Sequence, residues 1–307
     1  METSPTLRSS TFKVPVPSSP SSWESIMAQP PLVFGGRLEE GSPYAVLGVP
    51  LEHGPTFREG TRWAPLEVRK ASNYIEFRCE LSGSDADLLG FYDLGDVPVV
   101  NDVKESLKLV EAEVSSTKKV PLIIGGEHTL TYAALKALRP DCLVVFDAHL
   151  DARDEYAGDP WSHASWLRRA LEELELSRVA VAGARAYVEE EARFLGKRGV
   201  LFGKDLRGFL KRYLRGCKSI YVSLDMDYFD PSVVPGVSNP EPGGATFSDF
   251  LEHVKELQHL PLAGADVVEL SPPYDPSGVS AVYAARALIE LATSLRPLSR
   301  SPLSPSR

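Results

Sequence analysis

Six short runs of unbroken apolar character limit what this chain can fold into more than any other feature: Tyr44–Val49, Val120–Ile124, Cys142–Phe146, Arg178–Ala182, Ile220–Leu224 and Ala265–Leu270. A strand with one wet face alternates apolar and polar residues, whereas an unbroken run marks a strand covered on both faces, as in a parallel sheet. Amphipathic stretches of helical period lie between the runs, near 64–76, 101–117, 129–138, 163–175, 188–198, 204–215, 247–258 and 280–294. Such alternation builds right-handed βαβ units and predicts a three-layer α/β/α domain.

Residues 1–30 are rich in Ser and Pro without a hydrophobic period, which predicts a disordered tail; 297–307 read the same way, leaving one domain over 31–296. A net charge of −9 argues against nucleic acid or an anionic membrane surface as partner, since those are bound by clustered Lys and Arg. No run approaches the roughly 18 apolar residues that a membrane span needs, and no signal-peptide core is present, so the expected location is the cytoplasm. The three cysteines, Cys79, Cys142 and Cys217, show no CxxC spacing and suggest neither a disulfide framework nor a zinc knuckle; Cys142 reads as a small buried hydrophobe. With three Asn, two Gln and three Met, the chain is short of thermolabile side chains, an expectation for a thermophilic source.

Ligands of open parallel sheets sit beyond the carboxyl ends of the strands. Three of the runs end there in acids and histidines: Gly125-Gly126-Glu127-His128, Asp147-Ala148-His149-Leu150-Asp151 and Asp225-Met226-Asp227, with Asp230-Pro231 just beyond. Charges at the inner ends of buried strands are costly unless paired or bound to metal. A lone DxD pair is usually a cap or a solvated turn, and a lone histidine a structural one. Three such clusters in a chain of six histidines go well beyond either case. Two imidazoles with four carboxylates suit a hard or borderline divalent cation such as Mn²⁺.

These motifs, extended by Ser223-Leu224 and by Tyr228-Phe229-Asp230-Pro231 with Pro235-Gly236, resemble those of the ureohydrolases: arginases, agmatinases and formiminoglutamases. The likeness runs from about Leu32 to Leu295, and Glu127 departs from it, the family more often having Asp there. The resemblance implies an arginase-like fold around a mainly parallel sheet of about eight strands. It also implies two Mn²⁺ per subunit and a homo-oligomer, a trimer or hexamer. His128, Asp147, Asp151 and Asp225 would hold one ion; Asp147, His149, Asp225 and Asp227 the other. Asp151 would thereby serve catalysis as well as binding. His163 would carry protons, with capping of the following helix as its alternative role. Glu269 would pair with a guanidinium, the alternative being a solvated strand end. Phe57-Arg58-Glu59-Gly60-Thr61-Arg62 resembles the agmatinase branch, without an assigned catalytic role.

Substrate choice turns on the loop Ala152–Ser162, which holds three acids against one base and lacks the Asn and Ser signature of arginases. An acidic rim attracts the ammonium of agmatine, which puts that small cationic compound first, with putrescine and urea as products. Asp154 would face the ammonium. Arg153, if directed inward, would instead meet a carboxylate and favour arginine or guanidinobutyrate. Aminopropylagmatine also fits an acidic rim.

Overall fold

The computed structural model describes residues 32–54, 56–86, 90–258 and 260–298. The tail expected over 1–30 and most of that over 297–307 lie outside them. The six apolar runs are strands β1 (Tyr44–Val49), β3 (Val120–Gly125), β4 (Cys142–Phe146), β5 (Arg178–Ala182), β7 (Ile220–Asp225) and β8 (Pro261–Val268). Three more complete the sheet among the described residues: β2 (Tyr92–Asp96), β6 (Leu201–Gly203) and the two-residue β9 (Arg296–Pro297). The nine strands run in the order β2-β1-β3-β8-β7-β4-β5-β6, every pairing parallel, with β9 against β8. β1, β3, β4 and β7 are buried at every residue, which is why they read as unbroken apolar runs. β2 and β6 left no such run because they are short edge strands with half-exposed residues, and β2 carries Asp93 and Asp96.

Among the described residues, eight helices connect the strands: α1 (Ala64–Ser72), α2 (Val103–Ser116), α3 (Leu130–Leu138), α4 (Trp166–Glu173), α5 (Glu189–Lys197), α6 (Leu210–Tyr213), α7 (Phe247–Leu257) and α8 (Val279–Ser294). They cover the sheet with two apolar clusters. One, around Phe146, Phe250 and Leu288, lies under α1, α7 and α8; the other, around Ile123, Trp166 and Tyr221, lies under α2, α3 and α4. The fold is the expected three-layer α/β/α arrangement. The body runs slightly past 296, since Leu298 N donates to Leu262 O at 2.9 Å. Among the described residues no helix is long and apolar enough to cross a membrane.

The cysteine expectation fails. Cys142, the first residue of β4, forms a disulfide with Cys217, which precedes β7, at a Cα separation of 6.0 Å. The two are 75 residues apart, and only the adjacency of β4 and β7 in the sheet, out of chain order, brings them together. Spacing rules see local motifs and have no access to that.

Candidate metal centre

The sheet delivers its chemistry at the carboxyl ends of β3, β4, β7 and β8. Gly126 turns the chain off β3; a side chain there would collide with Leu51 O, 2.0 Å from where its Cβ would sit. His128 follows, with no solvent exposure, and its Nδ1 faces three carboxylates: Asp225 Oδ2 at 3.1 Å, Asp151 Oδ2 at 3.3 Å and Asp147 Oδ2 at 3.4 Å. His149 Nδ1 lies 2.9 Å from Asp227 Oδ2 and 3.6 Å from Asp147 Oδ1. Two donor groups therefore meet at Asp147: His128, Asp147 and Asp151, and Asp147, His149 and Asp227, each with ligand atoms within 4.8 Å of one another.

Electrostatics say what such a cluster requires. Burial, reinforced by the charges of Asp151 and Asp227, pushes Asp147 up to about 8. Burial raises Asp225 too, with Asp227 and Asp147 adding to the effect. For Asp227 burial pulls the same way, yet the adjoining His149 outweighs it and holds the carboxyl at about 2. Four buried carboxylates converging on two imidazoles are a donor set short of positive charge, and divalent cations fit it.

Neighbours hold these side chains in place. His128 Nε2 lies 2.9 Å from Ser223 Oγ, which donates to the buried Asp266 at 2.6 Å; Tyr221 and Thr131 hydroxyls donate to the same carboxylate. The Trp166 indole donates to Asp151 Oδ2 at 2.9 Å, and its ring packs 4.5 Å from that of His128. Oriented hydrogen bonds of this kind fix a ligand's tautomer and direction. Asp266 was legible in principle, as a charged residue inside an apolar run.

Glu269 directly follows β8, 4% exposed, and is held from both sides: His128 N donates to Oε1 at 2.7 Å and Ser238 Oγ donates to Oε2. Its raised pKa follows from burial. Asp151 and Glu269 both adopt left-handed backbone, at φ 47° and 61°, a conformation costly to side-chain-bearing residues and concentrated at functional sites. Glu127 accepts from His53 N at 2.7 Å and Gly54 N at 3.1 Å, so the departure from Asp gives it the reach to tether the loop after β1. Arg58 fastens the same loop to Pro235 O and Val237 O, a structural role for the Phe57–Arg62 stretch.

A cleft of about 140 Å³ opens beside the cluster, lined by His149, Asp151, His163, Arg153, Tyr156, Glu191, Thr56 and Asn239 among others. His163 faces it, with Nε2 3.3 Å from Thr56 Oγ1, while Ser162 rather than His163 caps the following turn. Arg153 lines it as well. Asp154 does not: it is exposed and paired with Arg169 at 2.9 Å and Arg168 at 3.4 Å. Asp159 is spent on His53 Nε2 at 3.2 Å, and Glu155 faces solvent outside the lining. The acidic rim read from the loop is therefore no part of the cleft. Thr56, Glu191 and Asn239 carried no sequence signal, since distant segments bring them in.

A profile of the Arginase family matches residues 42–293. The chain belongs to the arginase family. Within it, a guanidinopropionase of Pseudomonas aeruginosa is 36% identical over 80% of this chain and 84% of its own length. An agmatinase of Pyrococcus horikoshii is 32% identical over 74% of this chain and 83% of its own. The crystal structure of the agmatine ureohydrolase of Thermoplasma volcanium superposes with a TM-score of 0.78 at 33% identity, covering 89% of this chain and 97% of that one. This arginase-family chain is accordingly a hydrolase of guanidino C–N bonds, with the fold and motifs its sequence implied.

Proposed function

We propose that the chain divides a linear guanidino compound into urea and an amine at a centre of two Mn²⁺ ions. The observation that carries the reading is the meeting of two His/Asp donor groups at Asp147, next to the tethered carboxylate of Glu269. His128, Asp147, Asp151 and Asp225 would hold one ion, and Asp147, His149, Asp225 and Asp227 the other. Bound ions supply a water acidified toward neutrality and a charge that favours a tetrahedral carbon.

The chain's own residues do the rest. Glu269 presents a carboxylate whose direction is set by His128 N–H and Ser238, suited to a planar two-pronged pair with a guanidinium. His163, within the cleft and touching the Thr56 hydroxyl, delivers the proton without which an amine cannot depart. Trp166 keeps Asp151 turned to the cluster.

Relatives named agmatinase and guanidinopropionase support substrates with either an amine or an acid at the far end. The test is urea release by metal-stripped protein, with and without added Mn²⁺, from agmatine, arginine, 3-guanidinopropionate and 4-guanidinobutyrate. Metal-dependent urea from at least one is expected; none from any would refute the reading.

A further inference from the structure

We infer that the cleft receives a carboxylate, so that the preferred substrate is a guanidino acid rather than agmatine; this rests on the hydrolase reading above. Arg153 carries the argument. It stands two residues after the ligand Asp151 and lines the same cleft as His149, Asp151 and His163. Its guanidinium lies over the Tyr156 ring, 5.2 Å from the centroid, which holds it in place without using its N–H donors. Its acidic neighbour is Glu191, at 3.9 Å, too far for a hydrogen bond.

Glu191 is itself committed. One oxygen accepts Ala152 N at 3.1 Å and the other Val188 N at 2.9 Å, and the residue is 3% exposed. Among the described residues, the Arg153 guanidinium makes no hydrogen bond. A planar fork of donors, aromatic-backed and unspent in a cleft, matches a carboxylate. Asn239 adds to this: its Oδ1 accepts the Thr56 hydroxyl at 3.1 Å, and among the described residues its amide N–H groups make no hydrogen bond while it lines the same cleft.

An ammonium finds the opposite. Outside the metal cluster, the cleft's charged residues are Arg153, which repels it, and Glu191, whose two oxygens each already accept a backbone N–H and whose charge faces Arg153. Of the acids that would have favoured agmatine, Asp154 is bound to Arg168 and Arg169, Asp159 to His53, and Glu155 faces solvent outside the lining. Placing a like charge where the ammonium would sit is discrimination by repulsion.

The experiment has two readouts. With Mn²⁺ present, kcat/KM for urea release is measured on 3-guanidinopropionate, 4-guanidinobutyrate, arginine and agmatine, for the native protein and for R153Q and R153K. Separately, calorimetry compares binding of the amine products 4-aminobutyrate and putrescine. A carboxylate-bearing compound is expected to lead agmatine at least tenfold, with arginine against the unbranched acids showing which acid the cleft accepts. R153Q should lower the acid-to-agmatine ratio by about 10- to 150-fold, chiefly through KM, as loss of hydrogen bonds between ions does. R153K, keeping the charge without the fork, should fall between. 4-Aminobutyrate should bind more tightly than putrescine to the native protein and lose that lead in R153Q. Agmatine leading in the native protein, or a ratio unmoved by R153Q, overturns the inference while the hydrolase reading stands. Urea from none of the compounds overturns both.

Discussion

The backbone N–H of His128 donates to Glu269 Oε1 at 2.7 Å, so the residue that opens the metal cluster also sets the carboxylate proposed to grip the guanidinium. The two stand just beyond the carboxyl ends of neighbouring strands, β3 and β8. Replacing Glu269 with Gln keeps the acceptor for that N–H and removes the charge. E269Q is expected to lose about 100-fold or more in kcat/KM for urea release, on the order of 3 kcal/mol of charge-assisted pairing. Its thermal midpoint should stay within a few degrees of native. Near-native turnover would show that the guanidinium is held by something else.

Chelation should destabilise the fold as well as stop turnover. Four buried carboxylates facing two imidazoles lose their counter-charge when the metal leaves. A ligand present at 100 times its dissociation constant adds about 2.7 kcal/mol to the folded state. Differential scanning calorimetry with EDTA, then with excess Mn²⁺, should show a midpoint that drops and recovers. An unchanged midpoint would mean that the cluster does not bind the ion.

Glu127 tethers the loop after β1 through His53 N and Gly54 N, and that loop brings Thr56 to His163. Shortening it in E127D should release one or both tethers, raise KM several-fold and leave metal content unchanged. Faster hydrogen exchange at the His53 and Gly54 amides would report the loosening directly. Native exchange there in E127D would remove the tether from the account.

Asp230 supplies a pH dependence away from the metal. Its carboxyl is held at about 2 by the Ser232 hydroxyl and N–H, with Gly243 N and Gly244 N adding to the hold, against an ordinary 3.8. A folded pKa below the unfolded one means that the contribution is complete above pH 3.8 and is lost as pH falls through 2. After allowance for solvent screening it is on the order of 1 kcal/mol. Acid unfolding of D230N should be flatter than native across that window; an identical profile would contradict the assignment.

Breaking the Cys142–Cys217 bond should cost stability without touching the site. Closing a loop of 75 residues is worth about 4 kcal/mol in the chain-entropy account. C217S is expected to unfold at lower denaturant, and reductant should shift the native protein toward it. Equal midpoints with and without reductant would show that the bond contributes nothing.

What the sequence revealed divides along physical lines. β1, β3, β4 and β7 were legible because burial on both faces writes itself as continuous apolar residues. The His and Asp clusters that form the candidate metal centre were legible because a charge at the end of such a strand must be paired or bound to metal to be tolerated. β2 and β6 were not, since an edge strand is half wet and carries no such run. Arg153 and Asp154 show the deeper limit: adjacent in sequence, one lines the cleft and the other joins Arg168 and Arg169 on the surface. Loop composition counts both and cannot say which faces inward. The disulfide was hidden for a related reason, as its partners meet only through strand order.

That disulfide ties β4 to β7 at their amino ends, and the same two strands release Asp147 and Asp225 at their carboxyl ends. Strand pairing has a discrete failure: a slip of one residue sends every side chain to the opposite face. Here it would swing one of the two aspartates proposed to be shared between ions out of the cluster, while the backbone ladder stayed nearly as well paired. A covalent bond at the far end joins β4 to the segment that leads into β7. The bond thus links, through their amino ends, the two strands whose register decides that both carboxylates arrive together.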